Sequence, residues 1–299
     1  MRVVTIGNFD GVHHGHRVLL DRAEARAGEA DGSQVVAVTF DPHPLRLLRP
    51  EQAPELLTSV PRRAELLGQA GADEVVVLDF TPELSALSPE EFAQVLREDP
   101  RIRADVVVVG ENFRFGKGAA GTAEGLRELG VQLGFEVEAV PLVTQGPGGT
   151  PPTSSSYIRE RIAEGDMEAA ADALSRPHRV EGVVVRGDAR GRELGYPTAN
   201  VEVPPGMAIP PDGVYAGWLI AGTERLPAAI SVGTNPQFDG TERRVEAFAL
   251  GRDDLDLYGQ EVGVDFARRL RGQQVFESVA ELQVQMARDV AEAQALLGG

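Results

Sequence analysis

Three of the five histidines fall within four residues of one another, in Gly7-Asn8-Phe9-Asp10-Gly11-Val12-His13-His14-Gly15-His16. Imidazole is the side chain that donates to phosphate and gains or loses a proton near neutral pH. The string follows an apolar run, Val3-Val4-Thr5-Ile6, and leads into a helix-forming stretch. The free N–H groups and dipole of that helix's first turn make an anion site. His13 and His16 bracket Gly15, so both rings reach one bound phosphate, and Gly15 lets a ligand approach the backbone. An isolated pair of this kind is more often one packed and one solvated histidine. Here a fourth, His43, follows the second apolar run in Phe40-Asp41-Pro42-His43-Pro44. Both groups then sit at carboxyl ends of candidate sheet strands, where α/β folds bind ligands, and this favours the phosphate reading.

A second cluster lies in Gly187-Asp188-Ala189-Arg190-Gly191-Arg192-Glu193-Leu194-Gly195-Tyr196-Pro197-Thr198-Ala199-Asn200. Three glycines and a proline describe a shaped loop. Thr198 and Asn200 alternate at strand spacing, so their oxygens point the same way. Neutral oxygens suit a hard cation that already carries ligand phosphates, as Mg²⁺ does. Taken alone, such a pair is usually a turn or a bridge. Glu246 interrupts an otherwise apolar strand, Val245 to Leu250; a proton acceptor and a solvent-facing strand residue are both open there.

Two motif matches are weak. Gly116-Lys117-Gly118-Ala119-Ala120-Gly121 fits Gly-x-Gly-x-x-Gly but does not directly follow a strand. Gly110 to Lys117 has one residue too many for a P-loop, and Gly118 stands where Ser or Thr should bind Mg²⁺. The segment is read as a mobile glycine-rich loop.

Elements that position these residues are legible in the apolar rhythm. Strands are expected at Val3–Ile6, Gln34–Phe40, Glu74–Phe80, Ala104–Val109 and Glu136–Val143. Val75 to Leu78 and Val106 to Val109 are continuous apolar runs, the mark of parallel strands buried on both faces. Helices are expected at about His14–Ala27, Pro61–Gln69, Pro89–Leu96 and Thr122–Leu133, with Ser88 as an N-cap before Pro89. The rhythm breaks at Gly146 to Pro152. Two short helices follow, Ser155–Glu164 and Met167–Leu174, and a boundary falls near residue 177. Beyond it short strands alternate with Gly/Pro turns, at Arg179–Val185, Gly213–Ala221, Leu226–Val232, Arg244–Ala249 and Glu261–Phe266. This predicts an antiparallel barrel or sandwich. An amphipathic helix, Ser278–Leu297, closes the chain, its acids facing away from the apolar stripe. The fold class is α/β plus β: a doubly wound parallel-sheet domain, then an antiparallel β-barrel with a C-terminal helix.

Length and charge bound the function. At roughly 150 residues per domain, 299 residues suggest two domains. Asp+Glu 46 against Lys+Arg 29 gives a net charge of −17. That disfavours nucleic acid and anionic membrane surfaces as partners, but not small anions met locally by Arg and backbone N–H groups. Lys117 is the single lysine. With Cys 0, disulfides, thiolate catalysis and Cys-ligated metals are excluded, which fits a reducing cytoplasm. No apolar run is long enough to span a membrane, and the start does not read as a signal peptide.

GNFDGVHHGH, FDPHP, Gly110-Glu111-Asn112-Phe113-Arg114-Phe115-Gly116 and Ser154-Ser155-Ser156-Tyr157-Ile158-Arg159 resemble the HxGH nucleotidyltransferase module of the bacterial bifunctional riboflavin kinase/FAD synthetases. The string from Gly187 to Asn200 resembles the riboflavin kinase signature ending in PTAN. Asp212 to Ala216, Ala229 to Phe238, Val245 to Phe248 and Leu257 to Gly259 extend the resemblance along nearly the whole chain. Ser156 stands where the family usually has Thr, and Gly251 where it commonly has Asp; the family also commonly carries a segment ahead of the first strand.

The resemblance implies a bifunctional enzyme that converts riboflavin to FMN and FMN to FAD with ATP and Mg²⁺. It implies an adenylyltransferase domain over 1–177 and a kinase barrel over 178–299. It implies that His13 and His16 contact ATP phosphates, with Gly7, Phe9, Asp10, Gly15 and Arg114 lining that site and Ser155, Ser156 and Arg159 closing over the triphosphate. For the kinase it implies Gly187, Gly191, Gly195 and Pro197 at the nucleotide, Thr198 and Asn200 at Mg²⁺, and Glu246 as base. Flavin contacts fall to Asn112, Asn235 and Arg271. The expected partners are small molecules, with the chain a monomer or weak homo-oligomer. The alternatives are a single-activity nucleotidyltransferase and a flavin store without turnover.

Overall fold

The computed structural model describes residues 1–141, 153–186, 196–234 and 243–298. It divides into two compact units: Met1–Pro54 with Val60–Ser154, and Glu55–Ser59 with Ser155–Gly299.

The first unit runs β1 (Arg2–Ile6), α1 (His14–Ala27), β2 (Gln34–Asp41), α2 (Pro44–Leu48), α3 (Val60–Gln69), β3 (Glu74–Asp79), α4 (Pro82–Ala86), α5 (Pro89–Glu98), β4 (Val106–Gly110), β5 (Arg114–Phe115), β6 (Gly121–Thr122), α6 (Ala123–Leu133) and β7 (Glu136–Val140). Five strands pair in parallel in the order β3-β2-β1-β4-β7. Successive residues of each strand feed opposite faces, as a period of two requires. Val4, Ile6, Val36, Val38, Val107 and Val109 pack with Phe92, Leu96 and Leu126 from α5 and α6. Val3, Val35, Ala37, Val106 and Val108 pack with Leu20, Leu66 and Leu67 from α1 and α3. Both faces are covered, so the doubly wound reading is borne out. Ser88 forms the expected cap, with a complete capping box to Glu91.

Three details differ from expectation. The strand from Glu136 ends at Val140, and the rest of its expected length lies largely outside the described residues. Short helices α2 and α4 and a single 3₁₀ turn at Pro50–Gln52 went unseen, because elements of three to five residues leave too little periodicity to detect. Finally, the stretch read as a glycine-rich loop folds as the β5–β6 hairpin, closed by a 3₁₀ turn at Lys117–Ala119. Gly116 has φ 71° and lies so close to Pro89 that a Cβ there would stand 2.8 Å from the Pro89 nitrogen, while the Lys117 N–H donates to the Leu87 carbonyl.

The second unit carries α7 (Ser155–Glu164), α8 (Met167–Leu174), β8 (His178–Val185), β9 (Ala199–Glu202), β10 (Gly213–Ala221), β11 (Glu224–Thr234), β12 (Arg243–Ala249), β13 (Glu261–Gly272) and α9 (Val279–Leu297). Its six strands close a barrel in the order β10-β11-β12-β9-β8-β13, all neighbours antiparallel. Val180, Tyr215, Ile230, Val245, Ala247, Val264 and Phe266 fill the core, together with Ile158 and Ile162 from α7. The segment Glu55–Ser59 belongs to this unit. Leu56 bridges Met207, Leu57 is 1% exposed in the barrel cluster, and Ser59 Oγ donates to Glu181 at 2.6 Å. Strand β9, four residues long and starting two residues after Pro197, was not among the expected strands, though Thr198 and Asn200 were expected to alternate. In α9 the expectation that the acids face away fails for Asp289. It is 5% exposed and accepts from Arg271 on β13, because a buried carboxylate needs a cationic partner.

Barrel closure depends on glycines that admit a neighbouring backbone. At Gly217 on β10 a Cβ would overlap the Asp265 carbonyl oxygen and stand 2.7 Å from Ile230 Cδ1. Gly217→Ala is expected to destabilise the barrel by about 2 kcal/mol or more. Trp218, the single tryptophan, adjoins it, so the urea midpoint of tryptophan fluorescence should fall; an unchanged midpoint would contradict the close approach.

Candidate functional site

In the first unit the strand order reverses between β1 and β4, which opens a crevice outside their carboxyl ends. The turn that leaves β1 supplies one wall. Phe9 (φ 47°) and Val12 (φ 40°) both take the left-handed backbone conformation, unusual for non-glycine residues, and both side chains are fully buried. Their burial fixes the turn, and the turn presents His13 as the N-cap of α1. The His13 and His16 rings stack with centroids 3.6 Å apart and planes 17° from parallel. Phe9 meets His16 edge-on at 5.2 Å. Gly15 leaves room beside them, since a Cβ there would lie 3.3 Å from His13 Cε1 and 3.5 Å from the Thr153 carbonyl. Gly7 is similarly bare beside the Phe9 ring.

Electrostatics at this turn favour a neutral His16. Its pKa lies well below the usual 6.5, first through burial and then through the charges of His13 and Arg63. The first turn of α1 holds no acid, so no carboxylate there offsets the positive end of its dipole. Asp10 is buried at 1% exposure. Asn112 follows β4, at the other side of the crevice, in a turn closed by the Phe113 N–H on the Gly110 carbonyl. Arg114 is exposed on the β5–β6 hairpin. His43 caps α2: its Nδ1 accepts from the Leu45 N–H at 3.2 Å, and its Nε2 stands 3.4 Å from the Asn8 side-chain amide.

Several site-lining residues had no signal in the sequence. Asn8 is an ordinary turn residue by type. Arg63 sits on amphipathic α3, where an arginine reads as a surface residue, yet it is 1% exposed.

In the second unit Ser155, Ser156 and Arg159 occupy the start of α7, and Arg159 Nε donates to the Glu55 carbonyl at 2.6 Å. Around the barrel, β9 and β12 bring three expected residues together. Asn200 pairs directly with Glu246, and Thr198 Oγ1 is 3.5 Å from Glu246 Oε2. Residues 245, 247 and 249 of β12 point into the core, so Glu246 faces outward with Arg244 and Phe248. The Glu246 side chain keeps 35% exposure, and Arg244 Nη1 lies 4.0 Å from Glu246 Oε1. Tyr196, next to Pro197, meets the Phe248 ring edge-on at 5.3 Å. Arg244 and Ser231, which pairs with Glu246 from β11, were not anticipated. Arg271 makes a forked pair with Asp289, Nε to Oδ1 at 2.9 Å and Nη2 to Oδ2 at 2.7 Å, and Gln285 donates to the same carboxylate. Gly187, Gly191, Gly195 and Asn235 lie outside the described residues. Among the described residues no cluster of three His, Cys, Asp or Glu could hold a metal. The Thr198–Asn200 pair still fits a magnesium ion, because neutral oxygens suffice where ligand phosphates complete the shell.

The family model for FAD synthetase matches residues 1–153, and that for riboflavin kinase matches residues 174–297. Bifunctional riboflavin kinase/FMN adenylyltransferase of Escherichia coli (strain K12) is 34% identical over 297 residues, covering 99% of this chain and 93% of that protein. The enzymes of the same description from Pseudomonas fluorescens and Bacillus subtilis (strain 168) are 35% and 31% identical over 98% and 97% of this chain, and 92% and 91% of their own. A crystal structure described as a macrolide-efflux protein from Streptococcus pneumoniae superposes with a TM-score of 0.85 at 33% identity, covering 98% of this chain and 93% of that one. Among the described residues no helix is long and apolar enough to cross a membrane. With both family models in sequence order and relatives alike from end to end, the chain belongs to the bifunctional riboflavin kinase/FMN adenylyltransferase family.

Proposed function

We propose that two segments of the chain divide the family's reactions. Residues 178–299 carry riboflavin + ATP → FMN + ADP, and residues 1–177 carry FMN + ATP → FAD + pyrophosphate. The observation that supports this most is the pairing of β9 with β12, which sets Glu246 opposite Asn200 and within 3.5 Å of the Thr198 hydroxyl. The kinase nucleophile is the terminal ribityl hydroxyl, a poor one until its proton is accepted, and Glu246 is the acceptor. Thr198 and Asn200 hold Mg²⁺, which neutralises nucleotide phosphate charge when bound. Pro197, with Gly187, Gly191 and Gly195, shapes the nucleotide loop.

Adenylyl transfer needs no base. The FMN phosphate oxygen, already an anion, attacks the α-phosphorus of ATP, and the bond to the β-phosphate breaks to release pyrophosphate. The demand is for charge neutralisation and in-line placement. His13 and His16 meet the ATP phosphates, backed by the α1 N-terminus and lined by Gly7, Phe9, Asp10, Gly15 and Arg114. Ser155, Ser156 and Arg159 offer hydroxyls and a guanidinium at a helix start, a second anion-binding arrangement. Asn112, Asn235 and Arg271 are assigned to flavin on resemblance. The setting is cytoplasmic, the partners are the small molecules riboflavin, FMN and ATP, and the chain is a monomer or weak homo-oligomer.

The division is tested by chromatography of flavins with ATP and Mg²⁺. Glu246→Ala is expected to lose FMN formation and keep FAD formation from added FMN; His16→Ala should do the reverse. Loss of both activities in either variant contradicts the division.

His16 also makes a pH prediction. Its folded-state pKa is depressed below the usual 6.5. Below that pH the unfolded chain takes up a proton that the folded chain refuses. Stability is therefore unaffected by His16 above that pH and falls as pH drops beneath it. Hydrogen exchange of β1 amides should show the wild type losing protection from pH 7 toward pH 5 more steeply than His16→Gln. Parallel curves would mean that His16 is not held neutral.

A further inference from the structure

Arg63 is a charged side chain at 1% exposure with no part in the chemistry assigned above. It projects from α3 to the carboxyl end of β2. There Nη1 donates to Thr39 Oγ1 and to the Phe40 carbonyl, each at 3.1 Å. Thr39, itself fully buried, donates its own hydroxyl hydrogen bond to the Asn8 carbonyl at 3.0 Å. Asn8 opens the turn that holds Phe9 and Val12 in left-handed geometry, and its amide stands 3.4 Å from His43 Nε2. One guanidinium thus reaches, through one hydroxyl, the backbone of the histidine turn, and directly the strand end before Asp41, Pro42 and His43.

Solvation does not explain it. Burying a guanidinium is costly, and a helix residue over a sheet is ordinarily apolar. Arg63 Nε is buried with no hydrogen-bond partner among the described residues, so the side chain is not there because its donors are all satisfied. What compensates is charge: Asp10 and Asp41 act to hold the guanidinium protonated against burial, which lowers its pKa. Left-handed non-glycine residues persist only where their surroundings over-determine them. The hydrophobic burial of Phe9 and Val12 fixes where the turn sits, but its carbonyl needs a donor, and Thr39 is that donor.

We infer that Arg63 is a positioning residue for adenylyl transfer, acting through Thr39 on the Asn8 carbonyl to fix the turn that aims His13 and His16. This rests on the reading that the turn is the adenylyl-transfer site. The guanidinium also adds to the field at His16, whose charged and titratable neighbours are His13 in the stack and Arg63 from α3, with Asp10 and Asp41 acting on Arg63 itself. A purely structural arginine would move stability without selectively moving kcat or the pH profile of one of the two reactions.

The test uses the whole protein, with riboflavin phosphorylation as the internal control. Thr39→Val keeps shape and burial but breaks the link to Asn8; Arg63→Lys keeps the charge but replaces the planar fork by a single ammonium. Each should lower kcat for FAD formation from FMN by about 10- to 100-fold with KM for ATP little changed, since misplacement by an ångström costs that much. Riboflavin phosphorylation should be unchanged. Arg63→Met should in addition raise the acid limb of the FAD-formation pH profile, and Arg63→Lys should not. If Arg63→Met does not fold, Thr39→Val and Arg63→Lys still decide. Wild-type kcat in both of these, while His16→Ala abolishes FAD formation, overturns the relay alone. Wild-type kcat in all three overturns the site reading beneath it. Loss of stability in Arg63→Met with wild-type kcat for FAD formation in Arg63→Lys overturns the positioning role.

Discussion

The backbone between β1 and α1 is the constraint on which the first unit's chemistry depends. Left-handed φ at Phe9 and Val12 costs on the order of 1–3 kcal/mol each. Full burial of the two side chains returns about 1.5–3 kcal/mol each. Neither could relax alone, because a Phe9 or Val12 that left its pocket would open the core cluster shared with Leu20 and Val108. The turn is thus rigid without a regular hydrogen-bond ladder. It delivers the His13–His16 stack, Asp10 and the open end of α1 to the carboxyl side of β1. A binding turn made of glycine alone would allow the same path but would not enforce it.

The barrel solves positioning by another means. Strand register is a ruler: pairing Asn200 with Glu246 sets the two opposite each other, and a slip of either strand by one residue would turn its own residue to the opposite face. No strained turn is needed, because alternate residues Val245, Ala247 and Ala249 lock the inward face. Charge follows the same logic of local control. The protein has a net charge of −17, yet the groups proposed to meet phosphate are few and specific. Many arginines are already matched, Arg26 to Glu136, Arg179 to Asp265, Arg271 to Asp289. Pairing of this kind keeps positive potential from spreading and leaves imidazoles, helix ends and a few guanidinia as the groups proposed to meet anions.

Legibility in the sequence tracked the range of the interaction. The parallel sheet was readable because Val106 to Val109 and Val75 to Leu78 carry burial on both faces in their composition. The Ser88 cap was readable because capping is local. Thr198, Asn200 and Glu246 were readable as candidates, and their meeting is a register fact. Glu55–Ser59 was unreadable as part of the barrel unit, since its bridge to Met207 spans some 150 residues of sequence. Asp289 was misread for a similar reason: on an amphipathic helix an acid signals solvent unless its partner, here Arg271, is known. Arg63 escaped in the same way, its partners Thr39 and Phe40 lying on another element.

These misreadings share a physical cause with the inference about Arg63. Hydrophobic burial is additive and nearly directionless, so it leaves periodic traces that a single chain displays. A buried charge is the opposite case. It is tolerated only where a specific partner sits at a specific distance, and that partner is seldom near in sequence. The residues least predictable from pattern are then the ones whose retention most needs an explanation from the fold. Arg271 finds that explanation in tying α9 to β13 through a forked ion pair. Among the described residues Arg63 makes no such pair; it spends its hydrogen bonds on a hydroxyl and a carbonyl at the strand end, one step from the strained turn. An apolar residue would fill that volume at less cost in desolvation, but it could neither hold Thr39's hydroxyl toward Asn8 nor balance Asp10. The cost of burying Arg63 is therefore tied to the geometry of the histidine turn and not to the stability of the sheet beneath it.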